Sequence, residues 1–168
     1  RIDVIKSVDF SDFDKISTER NFCSFALECF QRIMNDFTYK AFRVAFSGVY
    51  ILKELDIQKV CNKFINQCEL FSKEKLTEWN FRNVFKLNKN INGEDQLLNY
   101  CIEATSGLVE STQPNLFKSR RVILTTDLNT FQEDTIDYKF SQESIKDFFD
   151  KIAFWNEEVK ESYCKLLN

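Results

Sequence analysis

Four pairs of adjacent or alternating carboxylates have the type and spacing to act as acid–base partners or to hold a cation: Asp12 and Asp14, Glu94 and Asp95, Glu133 and Asp134, and Glu157 and Glu158. Each stands where a helix cap or a loop is expected, and solvated caps and loops account for such pairs more simply. The sequence contains no histidine, so the usual general base, proton shuttle and imidazole metal ligand are missing together. Six cysteines remain: Cys23, Cys29, Cys61, Cys68, Cys101 and Cys164. A structural zinc site without histidine requires four thiolates, usually as two close pairs, and no Cys-x-x-Cys occurs. Cys29, Cys61, Cys68 and Cys101 fall instead on apolar helical stripes, where a reduced thiol packs as a small hydrophobe. Disulfides are the alternative, because antiparallel helices could bring Cys23 to Cys68 and Cys29 to Cys61. Six residues of helix turn through about 600°, which sets Cys23 and Cys29 on different faces and would strain two parallel bridges. The isolated Gly48, Gly93 and Gly107 make no phosphate-cradling loop, dinucleotide fingerprint or serine elbow. No catalytic residue, cofactor-binding residue or metal ligand is singled out, and the composition points away from an enzyme and from a bound cofactor.

The elements that would position side chains follow from the same imbalance. Average usage near ~7% Gly and ~5% Pro would give roughly twenty such residues in a chain of this length. The chain has three glycines and one proline against eighteen phenylalanines, which favours packed helices over turn-rich structure. Its 168 residues suit a single domain spanning 1–168, and 43% apolar with 29% charged residues is an ordinary globular balance. Net charge is −3 and the densest basic pieces are Lys118 to Arg121 and Lys73 to Lys75, so no nucleic-acid-binding face is expected. No apolar run approaches the ~18–20 residues needed to cross a bilayer, and Ala41 to Leu55 is interrupted by Arg43, Lys53 and Glu54. The N-terminus has neither Met nor a signal-type stretch and reads as a processed or excised form. Compartment is not legible there, and reduced thiols favour the cytoplasm over secretion.

Along the chain, Arg1 to Ile16 reads as a loose lead-in. Ser17 and Thr18 can cap a helix over Glu19 to Met34, on the stripe Phe22, Phe25, Ala26, Cys29, Phe30 and Ile33. A second apolar period runs through Phe42, Ala45, Phe46, Val49 and Leu52, and a third, capped by Asp56, through Ile57, Val60, Cys61, Phe64, Ile65 and Cys68. Leu76 to Leu87 reads as a fourth helix ended by Asn92-Gly93, and Glu94 to Val109 as a fifth on Leu97, Leu98, Cys101, Ile102, Thr105 and Leu108. The pattern changes near 110–118, a candidate subdomain boundary. Beyond it, Arg120 to Thr126 is β-like and could form a small ribbon with Tyr138 to Phe140. Ser141 caps a further helix on Ile145, Phe148, Phe149 and Ile152, and Asn156 with Glu157 and Glu158 resembles a fresh N-terminus. The expected fold is all-α or mainly α, an antiparallel bundle of about six to seven helices with a small β-ribbon near 120–140.

Most phenylalanines lie on these stripes and belong to a core. Phe81, Phe131 and Phe154 lie off them, and Trp155 sits at a helix junction, so these four are the candidate contacts for a protein partner.

Residues Ile51 to Ile102 (ILKELDIQKVCNKFINQCELFSKEKLTEWNFRNVFKLNKNINGEDQLLNYCI) resemble the join between a BTB/POZ domain and the helical BACK region that follows it. Phe30 to Lys40 looks like the segment before the last BTB helices, and Tyr138 to Trp155 (YKFSQESIKDFFDKIAFW) like a later BACK helix pair. The resemblance implies a non-enzymatic adaptor whose helical surface holds a protein partner, as in ubiquitin-ligase substrate adaptors. The dimerising front half of a BTB domain is not recognisable in Arg1 to Arg20 and no Kelch-type repeats follow, which weakens any implied homodimer. The expected function is a protein–protein interaction module or a structural subunit of a larger assembly. The rival is a secreted or surface-exposed helical protein stapled by disulfides, with an apolar ligand or a partner protein.

Overall fold

A computed structural model describes residues 2–6, 19–36, 40–52, 79–110, 118–131 and 139–167. Among them two helices, α1 (Glu19–Asp36) and α2 (Gln142–Leu167), accompany four strands, β1 (Ala45–Leu52), β2 (Asn80–Ile91), β3 (Glu94–Glu110) and β4 (Lys118–Thr130). The strands form one antiparallel sheet in the order β1-β4-β3-β2. The expected helical bundle is therefore wrong, and this is an α/β fold. The third expected helix, around 57–68, with Cys61 and Cys68, lies outside the described residues, as does most of the lead-in.

The reason lies in which apolar period the chain obeys. In β2, Phe81, Phe85, Leu87 and Ile91 alternate with polar residues along most of the strand, and a strand places such positions on one face. In β3, Leu98, Tyr100, Ile102 and Ala104 are fully buried at every second position, and opposite them on β4 lie Thr130, Leu128, Thr126 and Leu124, all buried as well. The three- and four-residue steps of Leu97, Cys101, Thr105 and Leu108 were a coincidence of apolar residues on both faces. In β1, Phe46, Tyr50 and Leu52 point to the same layer as these, where a helical step had joined Phe46 to Val49. Asn92 and Gly93 have φ of 51° and 83°, so they do not end a helix but form the two-residue turn between β2 and β3. Positive φ at both central residues suits the right-handed twist of a hairpin, and Asn-Gly adopts it readily.

The region near 120–140 also differs from the expected ribbon. β4 pairs with β1 and β3, while Phe140 makes only an isolated bridge to Ala41. β3 and β4 run side by side from Leu98 and Thr130 to Glu110 and Lys118, and residues 111–117, where the sequence pattern changes, lie outside the described residues.

Both helices contribute to the core on one face of the sheet. α2 sends Ile145, Phe148, Phe149, Ile152, Ala153, Trp155 and Tyr163 into it, and α1 adds Cys23, Ala26 and Leu27. α1 runs antiparallel to α2: Glu19 meets Lys160, Phe30 stacks on Phe149 at 5.5 Å, and Asn35 reaches Gln142. The Ser141 cap forms as expected, with the Ser144 N–H donating to Ser141 Oγ at 3.3 Å. The expected break at Asn156 does not form, and one helix continues through it to Leu167. The hairpin tip is fastened to α2, where Asp147 Oδ2 accepts the Asn92 N–H at 2.7 Å and Lys151 Nζ donates to the Asn90 carbonyl at 3.2 Å.

Candidate functional site

The densest polar chemistry lies between the helices and the sheet. Asn156, fully buried on α2, accepts the Tyr100 hydroxyl from β3 on its Oδ1 at 3.2 Å. Its amide donates to the Tyr50 hydroxyl of β1 at 2.6 Å and to Glu19 Oε2 at the start of α1 at 3.0 Å. The other Glu19 oxygen takes Lys160 Nζ at 2.8 Å, and Lys160 also pairs with Glu157 and lies 4.5 Å from the centroid of the Tyr50 ring. One turn of α2, from Asn156 to Lys160, thus joins the start of α1 to two strands. A buried amide needs such partners, because leaving its donors and acceptor unmet costs more than the bonds themselves contribute.

Electrostatics fix the protonation of the cluster. Burial pushes the Tyr50 phenol well above its ordinary value, and the Glu19 charge and hydrogen bond push it further. Tyr100 is raised by burial and then by Glu19. Cys23, on the next turn of α1, is pushed up to about 11 by burial and by Glu19. Burial pulls Lys160 down, but its contacts with Glu157 and Glu19 outweigh that and hold it above its usual value. The phenols are therefore donors and the thiol stays protonated at neutral pH. Glu19 accepts on both oxygens, so the cluster holds α1, α2, β1 and β3 in register.

Gly48 makes room for this arrangement. It precedes Tyr50 by two on the inner side of β1, and a Cβ there would collide with the Tyr50 hydroxyl and ring edge. Gly48→Ala is expected to lose about 1–3 kcal/mol of stability in urea denaturation, because the ring must leave its hydrogen bond to Asn156. An unchanged midpoint would show that the ring relaxes freely.

The residues singled out from sequence separate. Trp155 is buried, 6.4 Å from Phe148 edge to face. Phe81 is half-buried on the inner face, 6.4 Å from the Tyr163 ring. Phe131 follows β4, donates its N–H to the Leu97 carbonyl at 2.7 Å and carries Lys86 Nζ 4.0 Å above its ring. Phe154 alone of the four stands in water, 61% exposed on α2 among Asp150, Lys151, Glu157, Glu158 and Glu161. Glu94 and Asp95 flank the hairpin turn, bonded to Gln96 and Asn90. Glu157 and Glu158 are surface residues paired with Lys160 and Lys89. Asp12, Asp14, Glu133 and Asp134 lie outside the described residues. Among the described residues no three Cys, Asp or Glu converge as metal ligands, no helix is long and apolar enough to cross a membrane, and Cys23, Cys29, Cys101 and Cys164 are free thiols.

Glu19, Tyr50, Tyr100 and Asn156 escaped the sequence reading. One signal was available: Asn156 continues the α2 stripe of Ile152, Val159 and Tyr163, and a polar residue inside an apolar stripe requires buried partners. Of the segments behind the BTB/BACK resemblance, 53–78 lies outside the described residues, 80–91 and 94–102 are strands where the resemblance implies helices, and 142–155 is helical. In comparisons with known proteins, the chain matches no family model, no curated protein and no solved structure.

Proposed function

We propose that the chain is a non-enzymatic protein–protein interaction module or a structural subunit of a larger assembly. The observation that carries this reading is Phe154, an aromatic ring 61% exposed within an otherwise charged stripe of α2. Water penalises such a ring, and aromatic anchors ringed by polar groups characterise the centres of binding interfaces. Its neighbours carry both signs, Lys151 beside Asp150, Glu157, Glu158 and Glu161, and Asp150, Glu157 and Glu158 are each paired with a lysine of the chain itself, so they favour a partner surface with an apolar socket and a polar rim. The commitment of the buried cluster's polar groups to one another supports a scaffold more than a reaction centre.

The test is quantitative affinity purification from the native cell with wild type and Phe154→Glu in parallel. A near-stoichiometric partner should be retained by wild type and fall at least about tenfold with the variant, while circular dichroism and the thermal midpoint stay unchanged. Identical partner profiles for the two proteins would overturn the assignment to Phe154.

A further inference from the structure

We propose that β1 is a pairing edge for a second copy of this chain, joined antiparallel about a two-fold axis near Gly48 into a continuous eight-stranded sheet; this rests on the reading of the chain as an interaction module.

The Thr130 N–H donates to the Val44 carbonyl at 2.9 Å and the Val44 N–H to Thr130 Oγ1 at 3.0 Å, so Val44 faces β4. Hydrogen-bonded positions alternate along an antiparallel strand, so Phe46, Gly48, Tyr50 and Leu52 also spend their backbone groups on β4. The N–H and C=O groups of Ala45, Ser47, Val49 and Ile51 point the other way, and among the described residues no strand takes them. Val49 is 68% exposed there.

Sheet edges normally carry charge, proline or a bulge that discourages pairing. β1, AFSGVYIL, has eight residues with no charge and no proline. The opposite edge, β2, carries Arg82, Lys86 and Lys89, and self-pairing there would gather three cations of each copy along one seam. The uncharged edge is thus the one that tolerates its own image. A two-fold axis near Gly48 sets Ser47 opposite Val49 and Ala45 opposite Ile51, so each outward backbone group meets an outward group, and the helices of both copies stay on one face. Phe25 adds apolar area. It is 54% exposed one turn of α1 beyond Phe22, whose ring packs 6.2 Å from Phe46 of β1.

Sedimentation or light scattering of the full chain between about 1 and about 100 µM should show a monomer–dimer equilibrium. Val49→Lys should raise the dimer dissociation constant at least about tenfold, because it sets a cation from each copy beside the axis, and Val84→Lys on β2 should leave it unchanged. Amide exchange at Ala45, Ser47, Val49 and Ile51 should slow as concentration rises. A monomer over the whole range overturns the inference, including one that binds a strand of another protein at this edge, and so does a dimer broken by Val84→Lys but not by Val49→Lys. A monomer whose partner is still lost with Phe154→Glu sinks the edge and leaves the reading of Phe154 standing; a β1 dimer whose other contacts ignore Phe154→Glu does the reverse.

Discussion

Asn156→Leu is expected to cost about 3 kcal/mol of unfolding free energy, read from the urea midpoint at constant m-value. The leucine takes up the volume, yet it leaves the Tyr100 hydroxyl without its acceptor and Glu19 without one of its donors, at about 1–3 kcal/mol for each buried group left unmet. Asn156→Asp separates hydrogen bonding from packing. A carboxylate in that place loses the donors to Tyr50 and Glu19 and sets a second negative charge near Glu19, with Lys160 offsetting only part of the repulsion. Burial and the like charge raise the carboxyl of residue 156 in the folded variant above its unfolded value near ~3.9. The folded state then holds the proton more tightly, so the variant approaches wild type below about pH 4 and loses stability as pH rises through the raised folded value. A pH-independent difference between Asn156→Asp and wild type would show that residue 156 is not coupled to Glu19 in a shielded site.

Phe148→Ala should be at least as damaging, about 3–5 kcal/mol. The ring is fully buried, perpendicular to Phe149 at 5.5 Å and edge-on to Trp155 at 6.4 Å. Its removal takes away apolar contact and leaves a cavity between α2 and the sheet that neighbouring rings cannot fill without leaving their rotamers. Phe148→Leu keeps most of the volume and should recover more than half of the loss in the same denaturation experiment. Equal midpoints for Phe148→Ala and wild type would mean that α2 does not carry the core.

What the sequence disclosed depended on whether one period or two fitted the apolar residues. α1 was legible to within two residues because Phe22, Ala26, Phe30 and Ile33 fit only the helical period, and Ser141 marked the start of α2. β3 was not, because Leu97 and Leu98 are both apolar and satisfy a step of two as well as steps of three and four. There the local signal that decides between the periods is Asn92-Gly93, which between alternating runs on either side specifies a hairpin. β4 was read correctly from Val122, Ile123, Leu124 and Thr125, although its partners were not, because pairing across the sheet is set by contacts distant in sequence. Of the four candidate contacts, Phe154 is on the surface, while Trp155 belongs to the core because the helix expected to break at Asn156 runs straight through. The buried cluster was unreadable for the same reason as the sheet: Glu19, Tyr50, Tyr100 and Asn156 meet only once β1 has joined β4 and α1 has met α2.

The strand order also sets a timetable for synthesis. β2, β3 and β4 are neighbours in sequence and in the sheet, so each can pair soon after it leaves the ribosome. β1 is made before all three and among the described strands pairs only with β4, and α1, made earlier still, waits for α2. A growing chain therefore carries an uncharged strand that no described strand meets on either hydrogen-bonding edge until β4 has been made. The period of greatest exposure to misassembly is that of the nascent polypeptide, and the segment at risk is Ala45–Leu52.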